Sequence, residues 1–134
     1  MTERQPKLAL GPVLYYWPQE KLLDFYERMI SAPVDIIYLG ETVCSKRRAF
    51  NTDEWLALAE RLRAAGKEVV LSTMALLEAE SELLTLRRLC ENDRFTVEAN
   101  DMGAVRLLSE RKAPFVLGTG INVYSDQTLR FLAG

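Results

Sequence analysis

Five short apolar runs recur along the chain, and each is followed by a stretch with the periodicity of an amphipathic helix. The runs are rich in Val, Ile, Leu and Phe and do not alternate with polar residues, which is typical of parallel strands covered on both faces. We therefore expect an α/β fold of consecutive βα units with one parallel sheet, both faces of which are buried. The strands are predicted within residues 7–11, 34–40, 67–73, 94–99 and 114–120.

The helices are predicted from apolar spacing and from residues that begin or end a helix. Pro18 suits a first helical turn, and Asn51 followed by Glu54 indicates a capping box. Gly66 can end the second helix in a left-handed conformation, and Ser125 can begin the last helix. The other helices are predicted at 18–31, 52–65, 75–90 and 101–112.

Two folds accommodate five such units. A doubly wound, flavodoxin-like domain closes at about 134 residues, and length alone favours it. A complete TIM-type (β/α) barrel needs roughly 250 residues, so in that fold the chain would be the N-terminal part of an incomplete barrel. No linker, repeat or low-complexity tract divides the sequence, and we expect a single domain over residues 1–134.

Composition excludes several classes of function. Seventeen cations against nineteen acids give a net charge of −2, which provides no overall field for binding nucleic acid. The N-terminus lacks the apolar segment of a secretory signal, and no run has the length of a membrane span, so we expect a cytoplasmic protein without a transmembrane segment. The absence of histidine removes the Ser-His and Cys-His nucleophile pairs of many hydrolases.

In both folds, ligands bind at the edge where the strands end at their carboxyl termini. Glu41 and Glu98 are candidate acid–base carboxylates if the fold brings them to one substrate, although glutamates at strand ends often cap helices. The aromatic run at 15–17 is predicted to pack, and a wall for a flat ring is the alternative. The candidates at this edge are Glu41, Cys44, Ser72, Thr73, Glu98, Asn100, Thr119 and Asn122.

The string "YLGETVCSKRR" at residues 38–48 places Cys44 directly before three cations. Most cysteines are small buried hydrophobes, but neighbouring positive charge favours the thiolate that a metal or a substrate requires. Lys46, Arg47 and Arg48 could form a solvated turn or a pocket for carboxylates or phosphates, and both interpretations stay open. Cys90 follows a leucine-rich helix and is predicted to be structural, without a disulfide to Cys44.

Four longer strings carry a resemblance: "LGPVLYYWP", "DIIYLGETVCSKRR", "GKEVVLSTMAL" and "VEANDMGAVRLLSERKAPFVLGTGINVYS". Over nearly all of its length the chain resembles the N-terminal half of a member of the family named for collagenase-like U-type peptidases. The resemblance implies a (β/α) barrel that works with a paralogous partner, UbiU, in the oxygen-independent ring hydroxylation of ubiquinone biosynthesis. It also implies a heterodimer with that partner, and a lipid-binding partner from the same biosynthesis is a further candidate.

Such proteins are similar in carrying a four-iron, four-sulfur (4Fe-4S) cluster on four cysteines. By this resemblance Cys44 is the first ligand, the other three follow residue 134, and Cys90 matches none of them. The three cations would then stabilise the negative charge of a cluster bound by thiolates. The 134 residues alone are not expected to hold the cluster.

Two other functions stay open at this point. Peptidase activity is suggested only by the family's name, and the absence of histidine argues against it. A non-catalytic binding or assembly module is the other alternative. In that case, the chain is expected to self-associate by covering the open side of its fifth strand.

Overall fold

The computed structural model describes residues 3–134, in which five strands alternate with five α-helices. The strands are β1 (Ala9–Leu10), β2 (Ile36–Leu39), β3 (Glu68–Ser72), β4 (Thr96–Ala99) and β5 (Phe115–Leu117). The helices are α1 (Gln19–Ser31), α2 (Thr52–Ala64), α3 (Glu80–Cys90), α4 (Met102–Glu110) and α5 (Asp126–Ala133), and a 3₁₀ turn at Thr119–Ile121 precedes α5. All five predicted strands are therefore present, and the predicted α/β class is confirmed.

The strands form one parallel sheet whose spatial order follows the chain, β1-β2-β3-β4-β5. A doubly wound flavodoxin-like sheet reverses its direction of growth after the first strand and therefore has the order 2-1-3-4-5. The observed order lacks that reversal, so the flavodoxin-like alternative, which length favoured, is wrong for the described residues. The order is that of consecutive βα units and is compatible with part of a (β/α) barrel.

One face of the sheet packs against the helices. βαβ crossovers are right-handed almost without exception, and between sequential strands that hand places the connecting helices on the same side of the sheet. Side chains alternate between the faces along each strand, and the residues of one face join the helices in a single core. The core contains Ile37, Leu39, Val69, Leu71, Val97 and Ala99 from the strands and Leu22, Tyr26, Leu58, Leu62, Leu86, Cys90, Ala104 and Leu108 from the helices.

The opposite face is less covered, so the prediction of burial on both faces is wrong for this side. Ile36, Tyr38 and Glu98 are half-buried on it, and Thr96 is exposed. Val70 is buried but does not belong to the core cluster. The physical reason is the sequential strand order, which places the connecting helices α1–α4 on the other face and leaves this face without one of them.

Helix boundaries follow local capping chemistry. The predicted capping box of α2 is confirmed: the Glu54 amide donates to Asn51 Oδ1 at 2.9 Å, and the Asn51 amide donates to Glu54 Oε2 at 2.7 Å. Ser125 caps α5 as predicted, since its hydroxyl oxygen accepts from the amide of Thr128. Gly66 has a φ of 91° after α2, in agreement with the predicted left-handed stop.

Two helix starts differ from the prediction. Pro18 is the residue before α1 and not part of its first turn. Helix α3 begins at Glu80, five residues later than predicted, because the Glu82 carboxylate accepts from the amides of Glu78 and Ala79 and so fixes the first turn there. Residues 75–79 form a loop at the carboxyl edge of the sheet.

The two outer strands of the sheet are β1 and β5, each paired on one side only within residues 3–134. Of the helices in this described range, none has both the length and the apolar composition that a bilayer crossing requires. The expected self-association through β5 stays a prediction.

Candidate functional site

Polar side chains at the ends of β3 and β4 form a hydrogen-bonded cluster. The Ser72 hydroxyl donates to Glu98 Oε2 at 2.6 Å, and the Thr73 hydroxyl donates to the Glu98 carbonyl oxygen at 2.8 Å. Thr73 Oγ1 also accepts from the Asn100 amide at 3.1 Å, and Asn100 Nδ2 donates to the Thr73 carbonyl oxygen at 2.8 Å. Ser72, Thr73 and Asn100 are buried, so this cluster fixes the relative positions of two strand ends.

Two glycines make room for the cluster's close packing. A Cβ at Gly118 would lie 1.8 Å from Asn100 Oδ1 and 2.9 Å from Glu98 Oε1. A Cβ at Gly40 would lie 2.6 Å from the Ser72 carbonyl oxygen, and Gly40 has a φ of 146°, which side chains with a Cβ rarely adopt. Glycine is therefore required where β2 and β5 meet this cluster.

Glu98 and Tyr38 both lie on the face of the sheet opposite the helices. Burial, followed by the negative charges of Glu98 and Glu68, raises the pKa of the Tyr38 hydroxyl above its usual value. The Tyr38 phenol therefore stays neutral at physiological pH and can donate a hydrogen bond. At the edge itself, the hydroxyl that donates to the Glu98 carboxylate is that of Ser72.

The loop after β2 carries Cys44 and is held by its own hydrogen bonds. Glu41 Oε1 accepts from the amides of Val43 and Cys44 at 2.9 and 3.1 Å. The Cys44 carbonyl oxygen accepts from the Arg47 amide, and Arg47 Nη1 donates to the carbonyl oxygen of Leu14 at 2.6 Å. The Glu41 carboxylate thus caps a turn, and Arg47 joins this loop to the loop after β1.

The two cysteines lie in different environments. Cys44 is half-buried and is not part of the hydrophobic core, whereas Cys90 is 2% exposed and belongs to it. Burial, and to a lesser extent the negative charge of Asp101, raises the pKa of the Cys90 thiol to about 11. Cys90 is therefore a protonated core side chain, in agreement with its predicted structural role, and Cys44 is the accessible thiol.

A cavity of about 570 Å³ opens beside this loop, between the carboxyl ends of β2 and β3 and the helices α2 and α3. Five of the predicted site residues line it: Glu41, Arg47, Arg48, Ser72 and Thr73. Cys44, Lys46, Glu98 and Asn122 are not among its lining residues. The structure therefore separates the predicted residues into a cavity group and others outside it, and Glu41 and Glu98 do not share the cavity.

The remaining predicted residues are placed as follows. Lys46 is exposed. Asn122 is exposed in a left-handed conformation with a φ of 56°, and its side-chain oxygen accepts from the Tyr124 hydroxyl at 3.3 Å. Its contact explains a local turn and gives no evidence of a binding role.

The prediction that the aromatic run would pack is correct for only one of its members. Tyr15 is 79% exposed and Tyr16 is 58% exposed, whereas Trp17 is half-buried and meets Phe25 edge-on at a centroid distance of 5.3 Å. The tyrosines extend from the loop after β1, where the described residues leave them in contact with solvent.

Sequence reasoning missed the walls of the cavity. Phe50 and Trp55 line it from the start of α2, and Leu77 lines it from the loop after β3. These residues have the spacing of ordinary core positions, so nothing in the sequence distinguishes them. In the part of the chain that the structure describes, no three His, Cys, Asp or Glu side chains form a group suited to a metal ion.

No family model matches the chain, and a search of solved structures returns no match.

Proposed function

We propose that the chain is the N-terminal part of an iron–sulfur protein similar to UbiV, in which Cys44 supplies one of four thiolate ligands of a 4Fe-4S cluster. In this proposal the cytoplasmic protein works with a UbiU-like paralogue, as a heterodimer, in the oxygen-independent ring hydroxylation of ubiquinone biosynthesis. A cluster of this type supplies one-electron transfer when it is bound.

The observation that carries the proposal is the position of Cys44. Its loop follows β2 at the carboxyl edge of the sheet, where ligands bind in βα folds, and its side chain lies outside the core. A metal ligand needs such access, which a cysteine in the hydrophobic core lacks. Cys90 supplies the contrast, because it is enclosed by apolar side chains and has a raised pKa.

The loop supports a fixed ligand rather than a mobile thiol. Glu41 holds the Cys44 amide, and the Arg47 side chain binds the carbonyl oxygen of Leu14. These contacts limit the number of positions that the Cys44 side chain can take, which lowers the entropy lost when it binds a metal. Residues 3–134 contribute one thiolate in this way, and the proposal takes the other ligands from outside the 134 residues.

The test compares two cysteine variants of the complete gene product, purified without oxygen. Cys44→Ala is expected to lose most of the bound iron and the visible absorption of the cluster. Cys90→Ala is the matched control, and it should keep its iron because that thiol is 2% exposed in the core. Iron content and Mössbauer spectra would measure both.

Iron content unchanged by Cys44→Ala would remove this residue from the ligand set and overturn the proposal. Equal loss in both variants would indicate that iron is lost through unfolding, and circular dichroism of the two variants separates that case from loss of a ligand.

A further inference from the structure

We propose that the cavity between α2 and α3 is a binding site for a small planar carboxylate, with the carboxylate at Arg47 and Arg48 and the ring beside Trp55. The volume of about 570 Å³ lies in the range of sites that enclose small ligands. This inference concerns the cavity alone and does not depend on the proposed iron–sulfur cluster, since Cys44 does not line it.

The acidic side chains of the cavity are already engaged with the protein's own donors. Glu41 accepts from two amides of its turn, and Glu54 accepts from the Asn51 amide and from Gln19 Nε2. Glu82 accepts from two amides at the start of α3. A hydrogen bond from the Ser45 hydroxyl, followed by the one from the Glu78 amide, lowers the pKa of Glu82.

The arginines of the cavity retain unused donors. Three arginines line the cavity: Arg47, Arg48 and Arg88. Arg88 is already engaged, because it forms an ion pair with Asp53 at 2.7 Å. Among the described residues, the Arg47 guanidinium makes a single hydrogen bond, to the carbonyl oxygen of Leu14. Arg48 forms no ion pair and no side-chain hydrogen bond with the described residues. A guanidinium group presents five donors in a plane that matches a carboxylate, so Arg47 and Arg48 favour an anionic group.

The aromatic part of the lining favours a flat apolar body. Phe50 is 8% exposed and meets Trp55 at a centroid distance of 4.7 Å and an angle of 64°. The two rings give the wall an edge and a face on which a further ring can pack. Leu77 and Leu89 are half-buried and extend the apolar lining. A ligand that combines one carboxylate with one ring can use both the arginines and the aromatic residues of the lining.

The test uses three probes that share a ring and differ in charge: benzoate, benzyl alcohol and benzylammonium. The 134-residue chain contains two tryptophans, so comparison with Trp17→Phe assigns the indole resonance of Trp55 in a ¹H–¹⁵N spectrum. Benzoate is expected to shift the Trp55 resonance in a saturable manner, benzyl alcohol more weakly, and benzylammonium least.

Arg48→Gln is expected to weaken benzoate binding about tenfold, because it removes a charge-assisted hydrogen bond and leaves a neutral polar side chain. Arg87→Gln is the matched control, since Arg87 is an exposed arginine of α3 that does not line the cavity. Leu77→Trp, which fills the cavity, should abolish the shift of Trp55.

Three results would overturn the proposal: no saturable shift with benzoate, binding of benzylammonium as tight as that of benzoate, or equal weakening by Arg48→Gln and Arg87→Gln. The second result would mean that the glutamates determine the charge preference.

Discussion

Replacing Tyr26 with phenylalanine should stabilise the protein. Tyr26 lies in α1 and is 1% exposed within the core, and its hydroxyl is the fully buried side-chain polar atom of residues 3–134 for which no hydrogen-bond partner is found. Its ring meets Phe25 edge-on at 5.2 Å, and a phenylalanine would preserve that contact. The substitution therefore removes an unsatisfied donor and leaves the apolar packing in place.

The size of the effect follows from the cost of burying an unsatisfied polar group, about 1–3 kcal/mol. Loss of the oxygen atom leaves a small void that offsets part of this gain. We expect a net stabilisation of about 1 kcal/mol, which corresponds to a rise in Tm of about 4 °C for a chain of this size.

The assay is urea unfolding at pH 7, followed by circular dichroism, for the parent, Tyr26→Phe and Tyr15→Phe. Tyr15 is 79% exposed, so removing its hydroxyl should leave the free energy of unfolding unchanged within about 0.3 kcal/mol. A loss of stability in Tyr26→Phe larger than that of the control would refute the reasoning, because it would mean that the hydroxyl is hydrogen-bonded.

The same residue gives a pH dependence. Burial raises the pKa of Tyr26 above the value near 10 of an unfolded tyrosine, so the unfolded state loses this proton first. Ionisation of Tyr26 leaves the free energy of unfolding unchanged below about pH 10. Above that pH it lowers the free energy of unfolding, because the unfolded state is then stabilised by loss of the proton. The advantage of Tyr26→Phe should therefore increase above pH 10, and an advantage that is constant with pH would contradict this assignment.

Three further predictions concern local features. Gly40→Ala should lower the free energy of unfolding in urea by about 3 kcal/mol or more, because it adds backbone strain and a contact of 2.6 Å with the Ser72 carbonyl oxygen. Asn51→Ala should cost about 1 kcal/mol by the same assay, because α2 loses its cap. With Ellman's reagent at pH 8, Cys44 should react rapidly and Cys90, with a pKa of about 11, only after unfolding.

Each of these predictions has a control and a contradicting result. Gly11→Ala meets no atom within 4 Å, and a cost at Gly40 no larger than at Gly11 would refute the strain argument. Thr52→Ala is the control for Asn51→Ala, because it changes the residue next to the α2 cap and leaves the cap in place. Asn51→Ala should lower the free energy of unfolding more than Thr52→Ala, and an equal loss would contradict the capping argument. Rapid reaction of two thiols per folded chain would show that Cys90 is accessible.

The elements that the sequence predicted are those specified by local chemistry. Each strand lies in a continuous apolar run, and the cap of α2 needs only Asn51 and Glu54, three residues apart. The class of fold and the position of the Cys44 loop at the carboxyl edge follow from the alternation of strands and helices. These features do not depend on which distant segments meet.

The features that were missed depend on contacts between distant segments. Strand order decides whether Tyr38 and Val70 face helices. The apolar composition of the runs does not predict that order. The cavity is lined by residues of α2, α3 and the ends of β2 and β3, which are distant in sequence, and Trp55 has the spacing of any other apolar residue of a helix. The late start of α3 depends on the Glu82 carboxylate, which accepts from the amides of Glu78 and Ala79, and apolar spacing carries no sign of this contact.

The Cys44 loop is held by hydrogen bonds to two other loops, which limits its transfer to another protein. Arg47 anchors the loop to the segment after β1, and Thr42 accepts a hydrogen bond from the Ala75 amide in the segment after β3. A synthetic peptide that copies residues 38–48 would lack both anchors and would sample many shapes. Grafting the cysteine's geometry into another scaffold therefore requires three successive βα units to be carried over together.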